Sequence, residues 1–154
     1  MKTDEWLTPP EILEALGPFD LDPCAPRVRP WAMASEHYTI DDNGLYGDWH
    51  GRVWCNPPYG KETGMWLKRC AEHGNAIALI FARTETDHFF EQVWNAATGV
   101  LFLRGRLNFY DVHGKRSKFN SGAPSCLVAY GAKAYFSLRN ATARGALAGR
   151  LVQL

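Results

Sequence analysis

The sequence predicts an α/β fold: a Rossmann-like sheet of reduced size, with an antiparallel hairpin at its C-terminal end, in a single domain over residues 1–154. Three observations predict it. Near-continuous apolar runs at residues 76–82 and 99–103 read as strands covered on both faces. Segments with helical spacing alternate with those runs, the pattern of a layered sheet. A further apolar run at 123–130 follows a long polar loop and supplies the hairpin. With 46% hydrophobic and 21% charged residues, the chain has the composition of one globular domain able to bury one core.

Thr8-Pro9-Pro10-Glu11 begins the first helix: Thr8 is the expected N-cap, Pro9 fits the first helical position, and Glu11 completes a capping box. Ile12, Leu13 and Leu16 are its apolar positions, and Gly17 is its stop. Residues 19–25 alternate briefly and then meet Asp22-Pro23, as a first central strand entering a loop would. Residues 27–37 give a loop and then a helical turn. Tyr38-Thr39-Ile40 reads as a brief strand ending at Asp41-Asp42-Asn43-Gly44, a run that is also strong turn chemistry. Only 34 positions separate Asp22 from Asn56, which is short for two full β-α units and is why a reduced sheet is expected.

Val53-Trp54-Cys55 then runs into Asn56-Pro57-Pro58-Tyr59-Gly60. Each proline fixes φ and donates no N–H, and the residue before each is pushed away from helix. Asn56 and Tyr59 therefore sit on a stiff frame at a strand end, with carbonyls that have few local donors. That frame suits methylation of an exocyclic amine. An aryl amine is a poor nucleophile because its lone pair is delocalised. Acceptors aimed at its two protons, the Asn56 side-chain oxygen and the Pro57 carbonyl, would favour the tetrahedral nitrogen that attacks. Tyr59 offers a flat face for a base drawn out of its duplex.

Asn56-Pro57-Pro58-Tyr59 resembles the catalytic signature of S-adenosylmethionine-dependent amino-methyltransferases, chiefly the Dam-like DNA N6-adenine enzymes of phage type. The Thr-Pro-Pro helix, the Asp-Pro-Cys-Ala strand end, and the later strand, basic loop and Ala-Pro strand resemble three further elements of that family, in its order, across most of residues 6–131. The resemblance implies that Asn56, Pro57, Pro58 and Tyr59 are catalytic. It also implies that Thr8 and Pro9 lie near the methionine end of the cofactor, with Asp22, Pro23 and Ala25 below it. Asp41 or Asp42 would meet the cofactor's ribose hydroxyls or adenine amine. The family's larger members carry a glycine-rich loop where this chain has Ala25-Pro26-Arg27.

Beyond the signature, residues 61–73 read as a helix with Met65, Trp66, Leu67 and Cys70 toward the core and Gly74 as its stop. The strand at 76–82 ends in Arg83-Thr84-Glu85-Thr86-Asp87, followed by a helix through about Asn95. Thr84 or Thr86 fits its N-cap; Arg83 or Thr84 could instead face DNA. Arg104, Arg106, His113, Lys115, Arg116 and Lys118 cluster on and before a Gly- and Ser-containing loop, with Phe109, Tyr110 and Phe119 among them. Cations interleaved with aromatics suit phosphate contact and base stacking, so Arg104, Arg106, Lys115, Arg116 and Lys118 are the DNA-binding candidates. Residues 138–154, rich in Ala with Gly145 and Gly149, suggest a weak helix.

Charge is divided along the chain. Residues 1–50 hold three Lys/Arg against ten Asp/Glu, and residues 51–154 hold fourteen against six. An acidic half suits a cationic cofactor and a basic half a polyanion such as double-stranded DNA. Cys24, Cys55, Cys70 and Cys126 are scattered, which reads as reduced thiols in a cytosol rather than a zinc site. No run approaches a membrane span, and residues 1–5 do not resemble a signal peptide. Similar Asn-Pro-Pro-Tyr loops occur in enzymes acting on RNA bases or protein glutamine, and a catalytically inactive DNA-binding module is the alternative from another class.

Overall fold

Along the strand Ala76–Phe81, Ile77 and Leu79 join one apolar cluster while Ala76, Ala78 and Ile80 join another. Successive side chains leave a strand on opposite sides, so a run apolar at every position must be covered twice. A computed structural model shows how. It describes residues 6–154; residues 1–5, which the sequence marks as unlike a signal peptide, lie outside the described residues. Helices α1 (Pro10–Leu16) and α4 (Ala132–Ala143) bury Ile12, Leu16, Leu138 and Ala141 on one side. On the other side, α2 (Thr63–His73) and α3 (Asp87–Phe89) bury Leu67, Cys70 and Phe89. The fold thus has three layers, with the sheet in the middle.

Seven strands are described: β1 (Leu21–Asp22), β2 (Glu36–His37), β3 (Val53–Cys55), β4 (Ala76–Phe81), β5 (Gly99–Leu103), β6 (Ser125–Tyr130) and β7 (Gly149–Gln153), in the order β2-β1-β3-β4-β6-β5-β7. The first four are mutually parallel, while β6 runs antiparallel to β4 and β5, and β7 antiparallel to β5. The expected α/β class and antiparallel C-terminal part are both present. No α-helix separates β1 from β3, only β2 and a 3-10 turn at Gly44–Tyr46. No helix among the described residues is long and apolar enough to cross a membrane.

Three local expectations need correction, and a fourth needs its helix type refined. Thr8 does not cap α1: the N-cap is Pro9 and Pro10 leads the helix, because Leu7 pairs with Tyr110 through two backbone hydrogen bonds and holds the chain extended past Thr8. The strand expected at Tyr38–Ile40 lies at Glu36–His37 instead. Tyr38 is drawn off by the Ala25 N–H, which donates to its carbonyl, and Thr39 enters a turn by donating its N–H to Asp42. The helix expected to reach about Asn95 is present through Trp94, α over Asp87–Phe89 and π over Phe90–Trp94. The tail is not one weak helix. Gly145, at φ 75°, follows α4, and β7 then closes the sheet edge. Gly149 is needed there, since a Cβ would lie 2.2 Å from the Phe102 carbonyl oxygen.

Candidate active site

The carboxyl ends of β1, β3 and β4 open on one cavity of about 990 Å³, within the range of small-molecule and cofactor sites. Pro23, Cys24, Ala25 and Pro26 form one wall after β1, and residues 39–40 and 43–46 continue it. Glu62, Met65 and Trp66 of the segment leading into and along α2 line it as well. The other end holds Asn56, Pro57, Pro58 and Tyr59, with Phe81 at the end of β4, Phe109 from the loop after β5, and Trp6.

The two halves of the first wall are locked together. The carbonyl of Asp22 accepts from the Tyr38 N–H, and the Trp49 indole N–H donates to the Gly44 carbonyl at 2.8 Å. Gly44 packs so closely that a Cβ would meet the Pro23 carbonyl oxygen at 2.0 Å. Asp22 is buried (2% exposed) and accepts the Cys24 N–H at 3.0 Å, shaping the turn beneath Pro23 without lining the cavity. Burial raises its carboxyl from 3.8 to about 7, against the pull of the Cys24 hydrogen bond and of Arg29. Burial, helped by the charge of Asp22, also pushes the Cys24 thiol up to about 12. Cys24 therefore presents a protonated thiol to the cavity and not a thiolate.

Asn56 is half-buried at the end of β3, and its side-chain N–H donates to Thr8 Oγ1 at 3.4 Å. Thr8 is itself buried, at 2% exposure, so its hydroxyl fixes which way the amide faces. Neither the Asn56 Oδ1 nor the Pro57 carbonyl is engaged by a hydrogen bond among the described residues. The Pro58 carbonyl, by contrast, accepts from Thr63 Oγ1 at 2.7 Å, which ties the loop to the start of α2. Tyr59 stacks on Phe81 with ring centroids 4.1 Å apart and 23° between planes. One face of the Tyr59 ring is covered while the residue as a whole stays 45% exposed.

Asp41 and Asp42 do not line the cavity. Asp41 pairs with Arg27 at 2.8 Å, and Asp42 accepts from the N–H and hydroxyl of Thr39; their neighbours Thr39, Ile40 and Asn43 are the ones at the wall. Pro9 is buried at the N-cap of α1. Arg104, Arg106, Lys115, Arg116 and Lys118 are all exposed, and none forms an ion pair among the described residues. Their loop is joined to the cavity by Phe109 and to the N-terminal segment by the Leu7–Tyr110 pairing. Asp111 turns the loop by accepting the N–H groups of His113 and Lys115, each at 2.9 Å. The hydroxyl of Thr86, at the N-cap of α3, donates to the Arg83 carbonyl rather than capping the helix.

Sequence reasoning missed Trp6, Glu62, Phe81 and Phe109 as cavity residues. Phe81 was findable as the aromatic at the end of a parallel strand, where such sheets hold ligands. Trp6 and Phe109 are brought in by a bridge between residues far apart in the chain, which leaves no local signal. Among the described residues no cluster of His, Cys, Asp or Glu is arranged to hold a metal.

Comparison with known proteins adds one finding. No curated protein and no solved structure matches the chain. The family model described as DNA N-6-adenine-methyltransferase (Dam) matches residues 1–144 of the 154, and the chain belongs to that family.

Proposed function

We propose that this protein transfers a methyl group from S-adenosylmethionine to the N6 amine of adenine in double-stranded DNA, with Asn56, Pro57, Pro58 and Tyr59 as the catalytic loop. Family membership implies DNA adenine N6 methylation with that cofactor in general. The observation that carries the residue-level reading is the pair of acceptors without donors among the described residues, Asn56 Oδ1 and the Pro57 carbonyl, at a cavity wall beside the exposed Tyr59.

The wall fits a cationic nucleoside-type donor. It is mostly apolar, carries the polar groups of Thr39, Asn43 and Glu62, and offers no thiolate at Cys24 that a methyl donor would alkylate. Pro23 and Ala25 would touch the cofactor, while Asp22, Asp41 and Asp42 act from behind by holding the turns that form its wall. Pro9 and Thr8 support the same region, Thr8 through the Asn56 amide. When bound, S-adenosylmethionine supplies a methyl carbon made electrophilic by its sulfonium.

Adenine N6 is paired inside a duplex, so the target base must be extruded. Phe81 leaves one face of Tyr59 free for it. Asn56 Oδ1 and the Pro57 carbonyl then accept hydrogen bonds from the two N6 N–H groups, localise the lone pair and aim it toward the donor. After transfer the nitrogen gives up one proton to solvent. Arg104, Arg106, Lys115, Arg116 and Lys118 would neutralise phosphates along the duplex.

Asn56→Ala tests this reading. Loss of one preorganised acceptor should lower kcat by about 10²–10³, with cofactor affinity kept. A drop in cofactor affinity at unchanged kcat would mean that Asn56 serves the donor and not the target.

A further inference from the structure

The Phe81 ring that supports Tyr59 has a cation beside it. The guanidinium carbon of Arg83 lies 5.7 Å from the Phe81 ring centroid, and its charge also reaches the Tyr59 phenol. Its main chain is fixed: the Arg83 N–H donates to the Phe81 carbonyl at 2.9 Å, and the Arg83 carbonyl accepts from both the N–H and the hydroxyl of Thr86. The side chain is exposed and makes no ion pair among the described residues, although Glu85 and Asp87 are close in sequence.

Topology sets this cation between the two parts of the candidate site. The parallel pairing of β3 with β4 places the Asn56 loop and Arg83 at the same, carboxyl-terminal end of the sheet. The Ala82 N–H donates to the Pro124 carbonyl at 2.8 Å, joining that strand end to the end of the basic loop. Arg83 therefore stands at a strand end tied both to the base platform and to the end of the basic loop.

We propose that Arg83 holds a backbone phosphate adjoining the extruded adenosine. This inference rests on the reading of Asn56–Tyr59 as the site of DNA adenine methylation. A planar guanidinium meets a phosphate through two parallel N–H donors, and the attraction of the Phe81 ring for the cation favours its place beside the base platform before DNA arrives. The free face of Tyr59 takes the base, so Arg83 is left with the group that every nucleotide shares. It fixes where the extruded nucleotide stands and carries no sequence information. It is a DNA-binding residue separate from the loop at 104–118, set beside the ring that supports Tyr59.

The test uses a duplex that the wild-type protein methylates and two copies of it, each with one phosphate beside the target adenosine replaced by an uncharged methylphosphonate. Arg83→Met keeps an unbranched stem and removes the charge; Arg83→Lys keeps the charge and loses the fork. Arg83→Met should raise the KM for DNA about tenfold or more and lower the salt slope by about one, with cofactor affinity and thermal midpoint unchanged. Arg83→Lys should recover part of the loss. One methylphosphonate duplex should cost the wild type a similar factor and cost Arg83→Met nothing further. Equal losses for wild type and Arg83→Met on both modified duplexes would overturn the inference, as would a loss of cofactor affinity in its place. A wild type that methylates no DNA overturns the reading of the site and this inference with it. A wild type that does so without these Arg83 effects overturns this inference alone.

Discussion

The buried carboxyl of Asp22 makes the protein's stability depend on pH in an unusual direction. Its folded value is about 7 against an ordinary 3.8, so between those values the folded protein holds a proton that the unfolded chain has released. Stability then falls as pH rises through that window and levels off above about 7. At about 1.4 kcal/mol per pH unit over about three units, the group accounts for a loss of order 4 kcal/mol. Asp22→Asn removes the charge yet keeps a side-chain oxygen to accept the Cys24 N–H, now at 3.0 Å. Urea unfolding of both proteins at pH 4.5 and pH 8 measures the effect. The variant should gain several kcal/mol on the wild type between the two pH values, whatever constant offset the buried amide introduces. A difference that stays constant across pH would show that Asp22 ionises freely in the folded protein and would refute the reasoning.

Other perturbations reach the wall, the amide and the loop. Gly44→Ala drives a Cβ into the Pro23 carbonyl, so it should destabilise the fold by about 1–3 kcal/mol and weaken cofactor binding, read by thermal unfolding with and without S-adenosylmethionine. Thr8→Val removes the acceptor that orients Asn56. It should lower kcat by about two- to tenfold at unchanged cofactor affinity, whereas a direct cofactor contact would show as a raised dissociation constant. Replacing Lys115, Arg116 and Lys118 by Ala should flatten the dependence of DNA binding on salt by about 0.9 per lost phosphate contact, with methyl transfer to a saturating duplex retained.

The strands at 76–81, 99–103 and 125–130 were legible in the sequence because burial on both faces leaves an unbroken apolar run. The Asn56–Tyr59 loop was legible because two prolines after a strand announce a stiff frame whatever surrounds it. The two-residue strand at Glu36–His37 has no such signature, being partly exposed and held by its pairing to Leu21–Asp22. β7 is an exposed edge strand whose identity comes from pairing with β5, some fifty residues earlier, so the Ala- and Gly-containing stretch from 138 that leads into it read as helix. Thr8 illustrates a different failure. Its local pattern is that of a capping box, and a long-range bridge at Leu7 overrides it, freeing the hydroxyl for Asn56. The support that Phe81 gives Tyr59 joins two strand ends and appears only when the sheet is assembled.

The most direct measurement incubates the protein with methyl-labelled S-adenosylmethionine and equal amounts of duplex DNA, RNA and a glutamine-containing peptide, then digests the nucleic acids to nucleosides. Label confined to N6-methyldeoxyadenosine, and lost with Asn56→Ala, is the predicted result. Label on RNA, on the peptide or on another base, or a product that survives Asn56→Ala undiminished, would contradict the account.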